Sequence, residues 1–112
     1  MQQYKIKINE LAEQDLENAG DYIAFVLLNP SAAENTVKGI REQVNKLRYF
    51  PDSHELDEDP MLAELGVRKI YFKEYKIFFV IDKSTKTVYV IRILHMLVDS
   101  KAWLYRTFGI VE

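Results

Sequence analysis

Two nearly continuous apolar runs in the C-terminal half constrain the fold most. They are KIFFVI at 76–81 and VYVIRIL at 88–94, both rich in β-branched and aromatic residues, with the polar segment DKSTK at 82–86 between them. A strand with one wet face alternates polar and apolar residues, whereas runs of this kind need burial from both sides. The sequence therefore predicts two central strands of a sheet, over 74–82 and 86–94.

Two further strands are predicted at the borders of this sheet. The segment QYKIKI at 3–8 alternates apolar and polar residues, and its outward Lys5 and Lys7 suit an edge strand because charge discourages pairing with other chains. The segment GVRKIYF at 66–72 precedes the first central run and is read as the fourth strand.

Two apolar stripes with helical spacing lie between the first strand and the others. The first stripe predicts a helix over about 10–28 with Asn9 as its N-cap, and the second helix begins within NPSAAE at 29–34, where Ser31 and Glu34 have capping-box spacing. The stripes are Ala12, Leu16, Ala19, Ile23 and Val26, then Ala33, Val37, Ile40, Val44 and Leu47. Because their spacing is the same, we expect the two helices to form an antiparallel hairpin.

These elements predict an α+β fold over one domain, residues 1–112. We expect an antiparallel sheet of about four strands, with the two-helix hairpin on one face and a short C-terminal helix from Asp99 or Ser100 to Tyr105, ended near Gly109. The segment from 52 to about 65 is expected to be an acidic loop. The other face of the sheet is expected to be only partly covered, leaving an apolar and basic groove for a partner segment that folds on binding.

Composition narrows the classes of function. The chain has no cysteine, which excludes disulfides, thiolate metal sites and a cysteine nucleophile and favours a reducing compartment. The longest strictly apolar run, IAFVLL at 23–28, is too short to span a membrane, and the N-terminus has no signal-peptide pattern. We therefore expect a cytoplasmic protein without a membrane partner.

Charge is divided unevenly along the chain. Residues 1–66 carry six basic and thirteen acidic side chains, net −7, whereas residues 67–112 carry nine and four, net +5. The stretch VRKIYFKEYK at 67–76 opens the basic half and mixes basic with aromatic side chains. A local basic surface is therefore compatible with the overall charge of −2.

The order of these segments resembles that of the RelE/ParE superfamily, small toxins of bacterial type II toxin–antitoxin pairs. The resemblance covers residues 4 to about 104 and rests on Ala12, Asp15, Leu16, Tyr22 and Ile23, on NPSAA at 29–33, on Leu47, Phe50 and Pro51, on GVR at 66–68, on YKIFFVID at 75–82 and on VIRILH at 90–95. The long helix hairpin is more similar to the ParE branch than to the RelE branch.

This resemblance implies three possible functions. The first is a growth-inhibiting toxin of plasmid-stabilisation type that binds DNA gyrase and is neutralised by a cognate antitoxin. The second is a RelE-like endonuclease that cuts mRNA on the ribosome without a metal or other cofactor. The third is an inactive remnant that keeps only the antitoxin surface. Whether the protein is an enzyme is left open, and direct binding to free DNA is not expected.

The candidate site residues follow from these alternatives. For the ribonuclease, Tyr71, Tyr75 and His95 are candidates for proton transfer, and Arg68, Lys76 and Arg92 are candidates for holding the phosphate. For binding to a target or to the antitoxin, the candidates are Arg68, Lys76, Arg92, Trp103 and Tyr105. No metal site is predicted because the two histidines, His54 and His95, are about forty positions apart.

Alternation along 88–95 assigns the faces of the last strand. It places Val88, Val90, Arg92 and Leu94 on one face and Tyr89, Ile91, Ile93 and His95 on the other. A guanidinium within an apolar row needs either an ion pair or a ligand, and both stay open for Arg92. The segment HMLVD at 95–99 lacks the arginines that many relatives have there, which counts against the ribonuclease because phosphate contacts supply much of nucleic-acid affinity.

Overall fold

The computed structural model describes residues 3–111, which form four strands and four α-helices. The strands are β1 (Lys5–Ile8), β2 (Arg68–Phe72), β3 (Tyr75–Asp82) and β4 (Thr87–His95), and the helices are α1 (Glu10–Asp21), α2 (Pro30–Lys46), α3 (Pro60–Glu64) and α4 (Ser100–Phe108). A π-helical turn, Tyr22–Val26, extends α1, and a 3₁₀ turn, Pro51–Ser53, follows α2. Residues 1, 2 and 112, which the prediction of one domain included, lie outside the described range.

The sheet has the order β1-β4-β3-β2, so the prediction that β3 and β4 are central is confirmed. Strand β1 is an edge strand, also as predicted, and its two lysines are exposed. The pairs β2–β3 and β3–β4 are antiparallel, but β1 and β4 are parallel. The sheet is thus mostly antiparallel with one parallel pair. After β1, the long connection through the hairpin leads the chain to the opposite edge of the sheet, where β2 lies, and β4 then returns beside β1 in the parallel direction.

The hairpin of α1 and α2 covers one face of the sheet, as its stripes predicted. Its buried side chains pack with those of the strands in a single cluster that contains Ala12, Leu16, Ala19, Ile40, Val44, Ile77, Phe79, Val88, Val90 and Ile93. The prediction of a capping box at Ser31 is wrong. Pro30 occupies the first turn of α2, so the cap falls on Asn29, whose side chain accepts a hydrogen bond from the Ala32 amide at 3.1 Å.

The opposite face carries a second apolar cluster, covered by α3 and α4. Its buried members are Leu62, Val67, Phe78, Ile91, Leu94 and Leu104. The expectation of an only partly covered face is therefore wrong at the centre of the sheet. Helix α3 was not predicted, although Asp59 followed by Pro60 is a helix-start signal. No helix within residues 3–111 is long and apolar enough to cross a membrane.

An irregularity in the pairing of β3 with β4 changes the faces of β4. Phe78 pairs with Arg92 but Phe79 pairs with Val90, so Ile91 is an extra residue on β4. Because a bulge of this kind breaks the alternation, Val90 faces the hairpin with Phe79, whereas Arg92 lies on the α4 face with Phe78. The predicted row Val88–Val90–Arg92–Leu94 is therefore wrong beyond Val90.

Candidate functional site

Arg92 forms an ion pair with Asp15 of α1. Its Nε and Nη2 atoms each lie 2.7 Å from a different carboxylate oxygen of Asp15, and Nη1 lies 3.2 Å from Thr107 Oγ1 of α4. The same carboxylate accepts the Ile93 amide at 2.9 Å. The hydrogen bonds to Asp15 raise the pKa of Arg92 further, against the effect of burial. The bidentate pair ties α1 to β4, and the contact with Thr107 extends the link to α4.

Lys76 and Tyr71 are cross-strand neighbours on the α4 face. They pair directly in the β2–β3 register, and Lys76 Nζ lies 3.5 Å from Ser100 Oγ at the start of α4. Tyr71 is 56% exposed, so its hydroxyl and ring are available to a partner. Of the six candidates for ribonuclease chemistry, Tyr71 and Lys76 thus share this face.

Tyr75 and His95 are neighbours on the hairpin face. They pair across β3 and β4, and their rings meet edge to face with centroids 5.3 Å apart. Burial raises the pKa of Tyr75, and the nearby Glu74 and Tyr22 raise it further. His95 Nδ1 accepts the Leu97 amide at 3.1 Å, so the imidazole holds the turn after β4.

Arg68 also faces the hairpin, but at the other end of its strand. It pairs with Phe79 and donates a hydrogen bond from Nη1 to the carbonyl of His54. Phe72, the β2 residue that pairs with Tyr75, is four positions further along the strand. Arg68 and Phe72 are therefore about 13 Å apart along β2. His54, for which no functional role was predicted, contacts Phe79 edge to face, and the two ring centroids are 6.1 Å apart.

Trp103 and Tyr105 fix α4 to its surroundings. Two guanidiniums lie close to the Trp103 ring, with Arg92 Cζ 5.3 Å and Arg106 Cζ 5.1 Å from its centroid. The Tyr105 hydroxyl donates to Asp59 Oδ2 at 2.8 Å, and Lys101 Nζ lies 3.5 Å from Asp59 Oδ1. These bonds lower the pKa of Asp59, although partial burial of the carboxyl opposes them.

The structure divides the predicted residues between two sides of the sheet. Arg68, Tyr75 and His95 belong to the hairpin side, and Arg92 bonds both to α1 of the hairpin and to α4, whereas the remaining candidates, Tyr71, Lys76, Trp103 and Tyr105, belong to the α4 side. The proton-transfer candidates Tyr75 and His95 therefore lie across the sheet from Tyr71 and Lys76. Sequence reasoning missed the roles of Asp15 and Asp59, although Asp15 belongs to the residues that carry the resemblance and Asp59 precedes Pro60 at a helix start. Within residues 3–111, no three His, Cys, Asp or Glu side chains are grouped so as to hold a metal ion.

Solved structures with this fold include several toxins. The chain is similar to the chromosomal ParDE toxin–antitoxin system from P. aeruginosa, with 25% identity and a TM-score of 0.68 over 83% of this chain and 96% of that one. It is similar in fold to the RelBE2 toxin–antitoxin complex from Mycobacterium tuberculosis, with 18% identity and a TM-score of 0.62 over 85% and 93% of the two chains.

A third similar fold is that of a mutant of the E. coli toxin RelE in the free state, with 13% identity and a TM-score of 0.64 over 97% and 99% of the two chains. No curated protein matches the sequence. The fold and these likenesses define a toxin of the RelE/ParE superfamily. More narrowly, the model of the ParE toxin of the type II toxin–antitoxin system parDE matches residues 6–99, so the chain belongs to that family.

Proposed function

We propose that this protein is a cytoplasmic toxin that inhibits growth by binding DNA gyrase and that a cognate antitoxin neutralises it. The observation that carries the choice of a binder is the division of the site candidates. A ribonuclease of this kind needs a proton-transfer group within hydrogen-bond reach of the ribose and cations on the same phosphate. Here His95 and Tyr75 lie on the hairpin side of the sheet, Lys76 lies on the α4 side with Tyr71, and the guanidinium of Arg92 is held by Asp15 of α1.

Two further observations support a binder. The guanidinium of Arg92 is already engaged by the Asp15 carboxylate, so a phosphate would have to compete with a bidentate ion pair. His95 Nδ1 is also engaged, by the Leu97 amide. The likeness to a ParDE toxin–antitoxin system, at 25% identity, supports the antitoxin partner, since the name of that system includes both components of the pair.

The ribonuclease is kept as a second candidate because Tyr71 and Lys76 are adjacent on the α4 face. A phenol and an ammonium at cross-strand positions form a small polar surface at the β2 side of the sheet. Such a pair supplies one cation and one proton-transfer group, which is fewer groups than phosphate chemistry requires. The remnant is the third candidate, and it predicts no growth inhibition at all.

The experiment that tests the proposal measures supercoiling by purified gyrase with increasing amounts of the toxin. Inhibition together with filamentation and a DNA-damage response after induced expression in bacteria is the expected result. Immediate arrest of translation without any effect on gyrase would contradict the proposal and favour the ribonuclease. Co-expression with the product of a neighbouring small open reading frame tests the antitoxin, because a cognate antitoxin restores growth.

A further inference from the structure

Large apolar side chains are exposed where the helix hairpin turns. We call Tyr22, Phe25, Val26, Leu27 and Leu28 the hairpin tip, and their exposed fractions are 51, 73, 63, 56 and 79%. The five side chains lie within seven consecutive residues of the π-helical turn and the bend that follows it. A contiguous apolar surface of this kind is unusual on a soluble monomer and marks a site of interaction.

The backbone of the hairpin tip is ordered by its own hydrogen bonds. The Leu27 amide donates to the Tyr22 carbonyl and the Asn29 amide donates to the Ile23 carbonyl, each at 3.0 Å, while the Ile23 side chain is buried in the core. The tip is therefore a preformed projection. A rigid projection loses little conformational entropy on binding, which favours its use as an anchor.

Leu28 adopts a backbone conformation that disfavours a leucine. Its φ is 53°, in the left-handed region where glycine or asparagine is the usual residue at a helix end. The side chain is 79% exposed, so burial within this chain offsets little of the backbone cost. Strain at an exposed apolar residue is better explained by contact with a partner than by stability of the fold.

The charges around the hairpin tip select the kind of partner. Between Asn9 and Val37 the sequence has six acidic residues and no lysine or arginine. Asp15 is paired with Arg92 and Glu13 with Arg41, while Glu17, Asp21 and Glu34 are exposed. Such a surface repels nucleic-acid phosphates, and a symmetric contact between two tips would bring like charges together.

We infer that the hairpin tip is the surface by which this toxin docks on its target, and that the target is a protein with an apolar pocket bordered by lysine or arginine side chains. Phe25 and Leu28 are the anchors that fill the pocket, since they are the most exposed members of the tip. Glu17, Asp21 and Glu34 face the basic border. The inference depends on the proposed function only for the choice of gyrase as the probe.

The test compares tip variants with a matched control on the same hairpin. Binding of the complete gyrase heterotetramer is measured by biolayer interferometry for wild type, Phe25→Ser, Leu28→Gly and Asp21→Lys, with Leu11→Ser as the control because Leu11 is 51% exposed but lies in the first turn of α1. We expect both tip truncations to weaken binding on the order of tenfold or more, and the control to stay within about twofold. Asp21→Lys should lower the association rate, most strongly at low salt.

Leu28→Gly separates binding from folding. Glycine accepts φ of 53° without steric cost, so this variant should keep or raise the melting temperature while it weakens binding. A purely structural role for Leu28 predicts instead that Leu28→Gly binds gyrase as tightly as wild type does, whether or not its melting temperature changes. Growth inhibition after induced expression is scored for the same variants, which makes the test independent of whether gyrase is the target.

The outcomes distinguish failure of the inference from failure of the proposed function. A wild type that does not bind gyrase would refute the gyrase target. If the tip variants then also lose growth inhibition, the tip would still be supported as the surface that binds the target. Full growth inhibition by folded tip variants would overturn the inference, as would a wild type that inhibits nothing. Tip variants that still inhibit growth but escape rescue by the antitoxin would assign the tip to the antitoxin. Tip variants that only convert a wild-type dimer to a monomer in light scattering would assign it to a second copy of the chain. Either result would also overturn the inference.

Discussion

Arg92 illustrates what a sequence pattern can and cannot identify at a single residue. A charge within the central run VYVIRIL required either an ion pair or a ligand, and the structure supplies an ion pair with Asp15, 77 positions away. No periodicity selects Asp15 from the seventeen acidic residues, because the choice depends on how α1 lies across β4. The bulge at Ile91 was equally unpredictable, since it follows from the register of β3 with β4.

Removing the guanidinium should destabilise the fold strongly. The Asp15 side chain is 11% exposed in the intact pair, and Arg92→Ala removes its counterion; breaking a buried pair from one side costs about 3–5 kcal/mol. Arg41→Ala, which removes a pair whose side chains are 50 and 43% exposed, should change stability by less than about 1 kcal/mol. Urea unfolding followed by circular dichroism measures both. Similar losses in the two variants would contradict this account.

At the scale of elements, the attachment of α4 was the least predictable feature. The helix itself was predicted from its caps, and Gly109 does end it with φ of 69°. Its position over the sheet depends on the buried Leu104, on the contact of Trp103 with Arg92 and on Asp59, which lies 46 positions from its partner Tyr105. Contacts so distant in sequence leave no local pattern, so the burial of the centre of this face under α3 and α4 could not be predicted.

The bonds to Asp59 should make the attachment of α4 depend on pH. Because the folded-state pKa of Asp59 is lowered, its contribution to stability is present above the unfolded pKa of about 3.8 and is lost as pH falls through the folded pKa. At pH 7, Asp59→Asn should therefore be less stable than wild type, and the difference should narrow below about pH 4. Thermal unfolding followed by fluorescence of Trp103, the only tryptophan, reports on α4 directly. A constant difference between pH 7 and pH 3 would refute the role of Asp59.

Packing of α2 on β2 depends on a glycine that helix propensity disfavours. A Cβ added at Gly39 would lie 2.0 Å from the Phe72 ring, so Gly39→Ala should destabilise by about 1–3 kcal/mol although alanine favours helices. Gly39→Ala combined with Phe72→Leu should recover part of the loss, because the smaller side chain leaves room. Lys38→Ala, at an exposed neighbouring position, is the control. Increased stability of Gly39→Ala would show that the ring moves aside at no cost.

At the scale of the whole molecule, periodicity predicted the architecture and failed on contacts between distant segments. The two apolar runs and two helical stripes sufficed for the central strands, the hairpin and the edge position of β1. The candidate site was named residue by residue, but its division between two faces depends on strand register and on the bulge. The charge count for residues 1–66 already indicated that the hairpin is acidic. The exposure of its apolar tip, however, was seen only in the structure.

The division of the candidates across the sheet leads to a prediction about activity. Arg92→Ala cannot serve to distinguish an enzyme from a binder, because loss of the ion pair with Asp15 compromises the fold itself. Lys76→Ala and His95→Ala are better variants, since neither side chain forms a buried ion pair: Lys76 lies 3.5 Å from Ser100, and His95 accepts the Leu97 amide and contacts the Tyr75 ring. A binder loses at most an interface contact of about 1–2 kcal/mol from each change. A ribonuclease loses roughly two orders of magnitude or more in cleavage rate.

We expect the binder's pattern, in which both variants still inhibit growth and leave translated mRNA intact. Primer extension on mRNA after induction of wild type and of each variant measures cleavage directly, and the melting temperature of each variant verifies that the fold is kept. Tyr71→Phe is a matched companion, because it removes only the hydroxyl from the face that Lys76 occupies. Codon-positioned cuts in the wild type that vanish in Lys76→Ala or His95→Ala would make the ribonuclease the primary function. Loss of the cuts in both variants would also require the two sides of the sheet to act on one substrate, which this register of β3 and β4 opposes.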